Sequence, residues 1–338
     1  MPDPREELAD RLRRQAAECA AWGSPFYGNL LQAAAADVED RGPVWELLGD
    51  FAEKPRRTMI ALRLMGAVHR LVLKEALPEL SRHYPSTGGD GDAAAAWPVF
   101  QQAVADRRDE LHAFVERGCQ TNEVGRSAAL IGGFLEVAHR TGLPLRILEI
   151  GASAGLNLAW DRYRYESPAG SWGDPSSPVR FAHSFEVAPP FNRAAEVAER
   201  KGCDLNPIDP TLEEGALVLR SLIWADQLSR LALLDGAIEV ARQSRVEVEK
   251  ANAADFLERE LGTSRDEVAT VVYHSIFWLY VNPEDRLRIA EAIARARVFE
   301  LAFEPAEPRF EIRLNGDLLG TSHPHGTGVR WNVDSSLS

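Results

Sequence analysis

The 338-residue chain is poor in three things, and each shortage narrows what it can be. Cysteine occurs three times, at Cys19, Cys119 and Cys203. That is too few and too scattered for a disulfide framework or a zinc site, and the three read as small buried thiols in a reducing compartment. Basic charge is in deficit: 38 Lys and Arg against 51 Asp and Glu leave a net charge of −13. Non-specific nucleic-acid binding needs clustered cations to displace counterions, so no nucleic acid is expected as a partner, and no anionic membrane surface. Long apolar runs are missing as well. The longest, Thr270 to Val281, is broken by His274 and Ser275 and falls short of the ~20 residues that a membrane helix needs. Met1 to Gln15 alternates charges without an apolar stretch, so no secretory signal and a cytoplasmic location are expected.

What is present is an ordinary globular composition, 45 % hydrophobic and 26 % charged, enough for one large or two modest domains. Residues 1–140 read as a helical N-terminal cap. Leu8 to Ala21 and Tyr27 to Val38 are helical stretches, and Ile60, Leu64, Ala67, Val68 and Leu71 form an amphipathic stripe. Tyr84 to Trp97 is a Pro- and Gly-rich loop, with helices expected on either side of Gly118. From Gly142-Leu143-Pro144 the character changes. Short β-like runs at Leu145 to Ile150, Val246 to Val248, Ala269 to Tyr273 and Glu300 to Phe303 alternate with helical stretches, clearest at Leu217 to Arg242 and Pro283 to Arg297. Alternation of this kind predicts an α/β fold with a parallel sheet over residues 141–338. Phe310 to Leu314, then Asn315-Gly316-Asp317, predicts a hairpin and an antiparallel end to the sheet.

The most informative segment is Leu148-Glu149-Ile150-Gly151-Ala152-Ser153-Ala154-Gly155-Leu156-Asn157. A buried strand runs into a turn of small residues and then a helix, which lets a ligand approach backbone N–H groups. The dinucleotide pattern G-x-G-x-x-G fits poorly, because its later glycines fall on Ser153 and Leu156. An acid followed by small residues at every second position, Glu149, Gly151, Ser153 and Gly155, resembles motif I of class I S-adenosylmethionine-dependent methyltransferases. Ser153 stands where that pattern has its middle glycine.

This resemblance covers residues 143–338. It implies a Rossmann-like sheet, mostly parallel with an antiparallel last strand, and S-adenosylmethionine as cofactor. It implies that Glu149 meets the methionine ammonium. It also implies that an acid ending the second strand binds the ribose. Asp204 is favoured for that role if residues 163–187 form an inserted hairpin, and Glu186 is the rival if Val179 to Val187 is the second strand. Asn252 and Asp255, after the third strand, resemble the adenine-binding segment, though a helix cap is an equal reading. The whole chain further resembles an uncharacterised bacterial family with a domain of unknown function. Gly23-Ser24-Pro25, Gln120 to Ser127, Trp160 to Tyr165 and Trp224-Ala225-Asp226-Gln227 carry that likeness.

Three other readings remain open. Gln120 to Arg126 is dense in polar groups; Thr121 or Asn122 either caps the next helix, or Asn122, Glu123 and Arg126 close over a ligand. His274 at a strand end is the candidate general base. Gly151-Ala152-Ser153-Ala154-Gly155 also matches the G-x-S-x-G elbow, which would make Ser153 a hydrolase nucleophile. His323-Pro324-His325 lacks nearby carboxylates, so no metal is expected. The leading expectation is methyl transfer to a small-molecule acceptor. Cofactor binding without catalysis comes second, and the serine hydrolase third. The acceptor and the oligomeric state are not legible.

Overall fold

A computed structural model describes residues 3–54, 59–117, 121–244 and 246–332; Cys119 and Gln120 therefore lie outside the described residues. The chain forms two compact units, Met1–Thr121 with Glu213–Leu231, and Asn122–Leu212 with Ala232–Ser338. The helix Arg126–Thr141 thus belongs to the second unit rather than to a cap ending at 140, and a helical return from Glu213 belongs to the first.

The first unit is all helix among its described residues. Its main helices are Pro4–Ala21, Pro25–Glu39, Ile60–Leu73, Ala93–Asp106, Arg108–Glu116 and Glu213–Ser221. Proline opens the first two, where its missing N–H costs nothing. The expected stripe from Ile60 to Leu71 is wholly buried, in a core that also takes in Leu30, Phe100 and Trp224. Two of the motifs meet here. Ser24 Oγ donates to Asp226, and the Phe26 N–H donates to the same carboxylate at 3.0 Å, so Asp226 caps the Pro25–Glu39 helix from 200 residues away. Gln227 Nε2 donates to the Trp22 carbonyl at 2.7 Å, and the Trp22 and Trp224 rings stack at 6.3 Å.

The second unit is mixed α/β, built on a large, mostly parallel sheet. Its strands are β1 (Leu145–Ile150), β2 (Arg164–Ser167), β3 (Gly170–Trp172), β4 (Arg180–Phe181), β5 (Phe185–Val187), β6 (Val197–Asp204), β7 (Val248–Lys250), β8 (Ala269–Ser275), β9 (Phe299–Pro305), β10 (Phe310–Leu314), β11 (Asp317–Ser322) and β12 (Val329–Trp331). The main sheet runs β5-β12-β11-β10-β9-β8-β1-β6-β7. The stretch β7-β6-β1-β8-β9 is parallel, and β10, β11 and β12 follow as an antiparallel meander.

Three expectations change. The antiparallel end expected from Phe310 to Leu314 is present, but as a three-strand meander and not the single reversed strand that the resemblance implies, because β10 follows β9 after a short turn with no helical crossover. The 163–187 insertion is more than a hairpin: β2, β3 and β4 form a separate small sheet. The end of Val179 to Val187 becomes β5, at the far edge of the main sheet beside β12, so it is not the second strand. That neighbour of β1 is β6.

The helix Arg126–Thr141 lays its apolar face on this sheet. Phe134 stacks on Trp160 at 4.5 Å and meets the edge of Tyr273 at 5.1 Å. On the other side, Leu148 and Val272 pack with Phe256, Leu257 and Ile289 of two further helices, Ala253–Glu260 and Pro283–Ala296. No helix of the described residues is long and apolar enough to cross a membrane.

Candidate functional site

The chain reverses direction across the sheet at β1: from β1 it goes outward to β6 and β7, then returns to β8 on the other side. In open parallel sheets such a switch point leaves a crevice at the carboxyl ends of the strands, where ligands bind. The small-residue turn follows β1 at this place. Gly151, Ser153 and Gly155 all have left-handed backbones, with φ of +72°, +53° and +70°. Glycine suits two of these positions because it has no Cβ to clash. Space demands it as well: a Cβ on Gly151 would meet the Phe277 ring, and one on Gly155 would meet Val248.

Glu149 lies on β1 just before the turn and is 2 % exposed. Tyr273 on β8 donates its hydroxyl to Glu149 Oε2 at 2.8 Å, across the crevice. Burial pushes the Glu149 carboxyl up to about 8, against the lowering effects of the Tyr273 hydrogen bond and the Arg126 charge; Asp204 adds to the rise. A carboxyl in this setting gains most from a cation brought beside it.

Asp204 ends β6, next to the turn. Its Oδ2 accepts from the Ser153 N–H and its Oδ1 from the Asn206 N–H, each at 2.9 Å. Glu186, on β5, instead pairs with Arg330 at the opposite edge of the sheet.

The segment from Asn122 to Arg126 borders the turn. Asn122 Oδ1 accepts from the Leu156 N–H at 3.0 Å, capping the short 3₁₀ segment after Gly155. It does not cap its own downstream helix, which starts after Gly125 without a side-chain cap. Arg126 Nη1 donates to the Ser275 carbonyl at 3.0 Å, at the end of β8. Glu123 is buried and pairs with His325 at 3.1 Å. The sequence places these residues far from the turn, and the fold brings Asn122 and Arg126 onto its border.

His274, the candidate base, is held between two carboxylates. It is fully buried, with Nδ1 2.7 Å from Glu304 and Nε2 3.4 Å from Glu300. Burial alone would lower its pKa, but the hydrogen bonds to Glu300 and Glu304 outweigh it and raise it above the ordinary histidine value. Both ring nitrogens thus face carboxylates. Glu304 also accepts from the Phe277 N–H at 2.9 Å, which fixes the strained turn at Ile276, φ +51°. The nucleophile–base pair of a serine hydrolase is unformed, since Ser153 Oγ has no hydrogen-bond partner.

Asn252 fills the capping role: its Oδ1 accepts from the Ala254 N–H at 2.8 Å, and its Nδ2 donates to Asp285. Asp255 is exposed and paired with Arg288 at 2.7 Å. These bonds tie both residues to helices and not to the turn. A cavity of about 750 Å³ lies at the amino ends of β1, β8 and β9, lined among others by Arg146, Arg265 and Phe299, and includes none of the site residues.

Sequence reading missed Tyr273, Phe277, Glu300 and Glu304. Tyr273 was visible as a polar-tipped residue ending an apolar run; the other three carry no local signal.

Residues 9–331 match the model of a family described as an uncharacterised protein conserved in bacteria, DUF2332. No curated protein and no solved structure matches the chain. With nearly its whole length covered by the match, the chain belongs to the DUF2332 family.

Proposed function

We propose that this protein binds S-adenosylmethionine at the carboxyl end of β1 and transfers its methyl group to a small-molecule acceptor. The observation that carries the reading is one constellation. A buried carboxyl, Glu149, precedes a turn with three left-handed residues, and a second carboxylate, Asp204, ends the adjoining strand. The residues suit the group. Glu149 would hold its ammonium, Asp204 would accept from its ribose hydroxyls, and the turn would let its backbone-facing side lie close. When bound, that cofactor supplies a methyl on a sulfonium carbon. The protein's own part is alignment in a site that excludes water.

His274 has both ring nitrogens against Glu304 and Glu300. This favours an acceptor that is already a good nucleophile, or binding without turnover as the second reading. Isothermal calorimetry with S-adenosylmethionine and S-adenosylhomocysteine tests the proposal. A saturable signal lost in Asp204→Ala supports it; no signal with either compound removes it.

A further inference from the structure

Ser153 is where the turn departs from glycine, and the residue is disfavoured there twice. Its backbone is left-handed at φ +53°, a conformation that costs a residue with a side chain and costs glycine little. The residue is 6 % exposed, and its Oγ has no hydrogen-bond partner. A buried hydroxyl in that condition has lost water and gained nothing in return. Glycine at 153 would remove both penalties. The backbone around it is firmly held: the Ser153 N–H donates to Asp204 Oδ2 at 2.9 Å, and its carbonyl accepts from the Ile208 N–H at 3.1 Å. The backbone of Ser153 is therefore pinned to the end of β6, where Asp204 lies.

We propose that the Ser153 hydroxyl is a specificity group that donates a hydrogen bond to a ribose oxygen of a bound nucleoside. This rests on the cofactor reading above and adds a donor that the all-glycine turn lacks. The chemistry is complementary. An ionised Asp204 only accepts, so it takes the protons of the ribose hydroxyls. A hydroxyl oxygen that has given its proton keeps its lone pairs, and those need a donor. Ser153 supplies it from the turn, and glycine cannot. Backbone strain and an unmet hydroxyl at a ligand-facing turn are costs that contact with the ligand offsets.

Calorimetry and thermal unfolding of the full chain test this with two probes. S-adenosylhomocysteine is one; 5′-methylthioadenosine, the same nucleoside without the amino-acid end, is the other. Ser153→Gly is expected to raise the Tm while weakening both probes about 3- to 10-fold, the span of one neutral hydrogen bond, with their ratio unchanged. Ser153→Ala is expected to weaken both to the same extent with a smaller gain in Tm, because it keeps the backbone strain. Unchanged or tighter binding of both probes to Ser153→Gly would overturn the proposal, and so would a loss confined to S-adenosylhomocysteine, which moves the contact to the amino-acid end. If the wild-type protein binds neither probe, the cofactor reading itself falls and this proposal with it. That result is distinct because it precedes any variant.

Discussion

Tyr273 on β8 and Glu149 on β1 are 124 residues apart in sequence and share one hydrogen bond at 2.8 Å, hydroxyl to carboxyl, beneath the turn. The bond joins the two strands that border the switch-point crevice and gives the buried acid a hydroxyl donor. It also sets how the protein responds to pH.

In the folded chain the Glu149 carboxyl titrates at about 8, whereas an unburied one titrates near 4.5. Between those values the folded state keeps a proton that the unfolded state has released. Stability from this group is present below about pH 4.5 and declines as pH rises through about 8. Thermal unfolding should show Glu149→Gln gaining Tm relative to wild type as pH goes from 5 to 9. Tyr273→Phe should lose about 1–3 kcal/mol, because the buried carboxyl then loses its donor. Parallel pH profiles for wild type and Glu149→Gln would show that the acid is not buried as described.

Arg126, Asp204, Tyr273, Tyr163 and Cys203 are among the charged or titratable groups coupled to Glu149. A cationic ligand beside it should pull its pKa down and release a proton. Calorimetry at pH 7 in buffers of different ionisation enthalpy should then report a release approaching one proton per S-adenosylmethionine bound. Glu149→Gln should abolish the release. Buffer-independent heats in the wild type would place the ammonium elsewhere.

His274 shifts in the same upward direction, but as a base held by acids. Its pKa in the folded chain lies above the ordinary 6.5, so the stabilisation is full below about pH 6.5 and is lost as pH rises through the folded value. His274→Phe leaves Glu300 and Glu304 facing one another without a cation. A loss of about 3 kcal/mol is expected at pH 6, the scale for breaking a buried charged pair, and less at pH 9. An equal loss at both pH values would mean that the ring is neutral.

In the helical unit, Asp226→Ala removes the acceptor of both Ser24 Oγ and the Phe26 N–H. It should cost about 1–2 kcal/mol, the usual worth of a helix N-cap, without altering affinity for any nucleoside. Asp226→Asn should retain part of this. Chemical denaturation measures both, and a neutral Asp226→Ala would leave the joint between the two motifs without energetic weight.

The sequence by itself determined what is local. The stripe from Ile60 to Leu71, the apolar run ending at Gly151, the turn at Asn315-Gly316 and the alternation of strands with helices are periodic or stereochemical signals held within a few residues. The β1 and β10 boundaries agree with the structure, while β7 falls two residues later than expected. Tertiary structure alone decided which strands are neighbours. That choice put Asp204 beside the turn and Glu186 at the far edge, because sheet order depends on contacts between segments that no local pattern encodes. The same holds for His274. As a residue near a strand end it reads as a base, but only the register that pairs it with Ala302 sets Glu300 and Glu304 on either side of its ring.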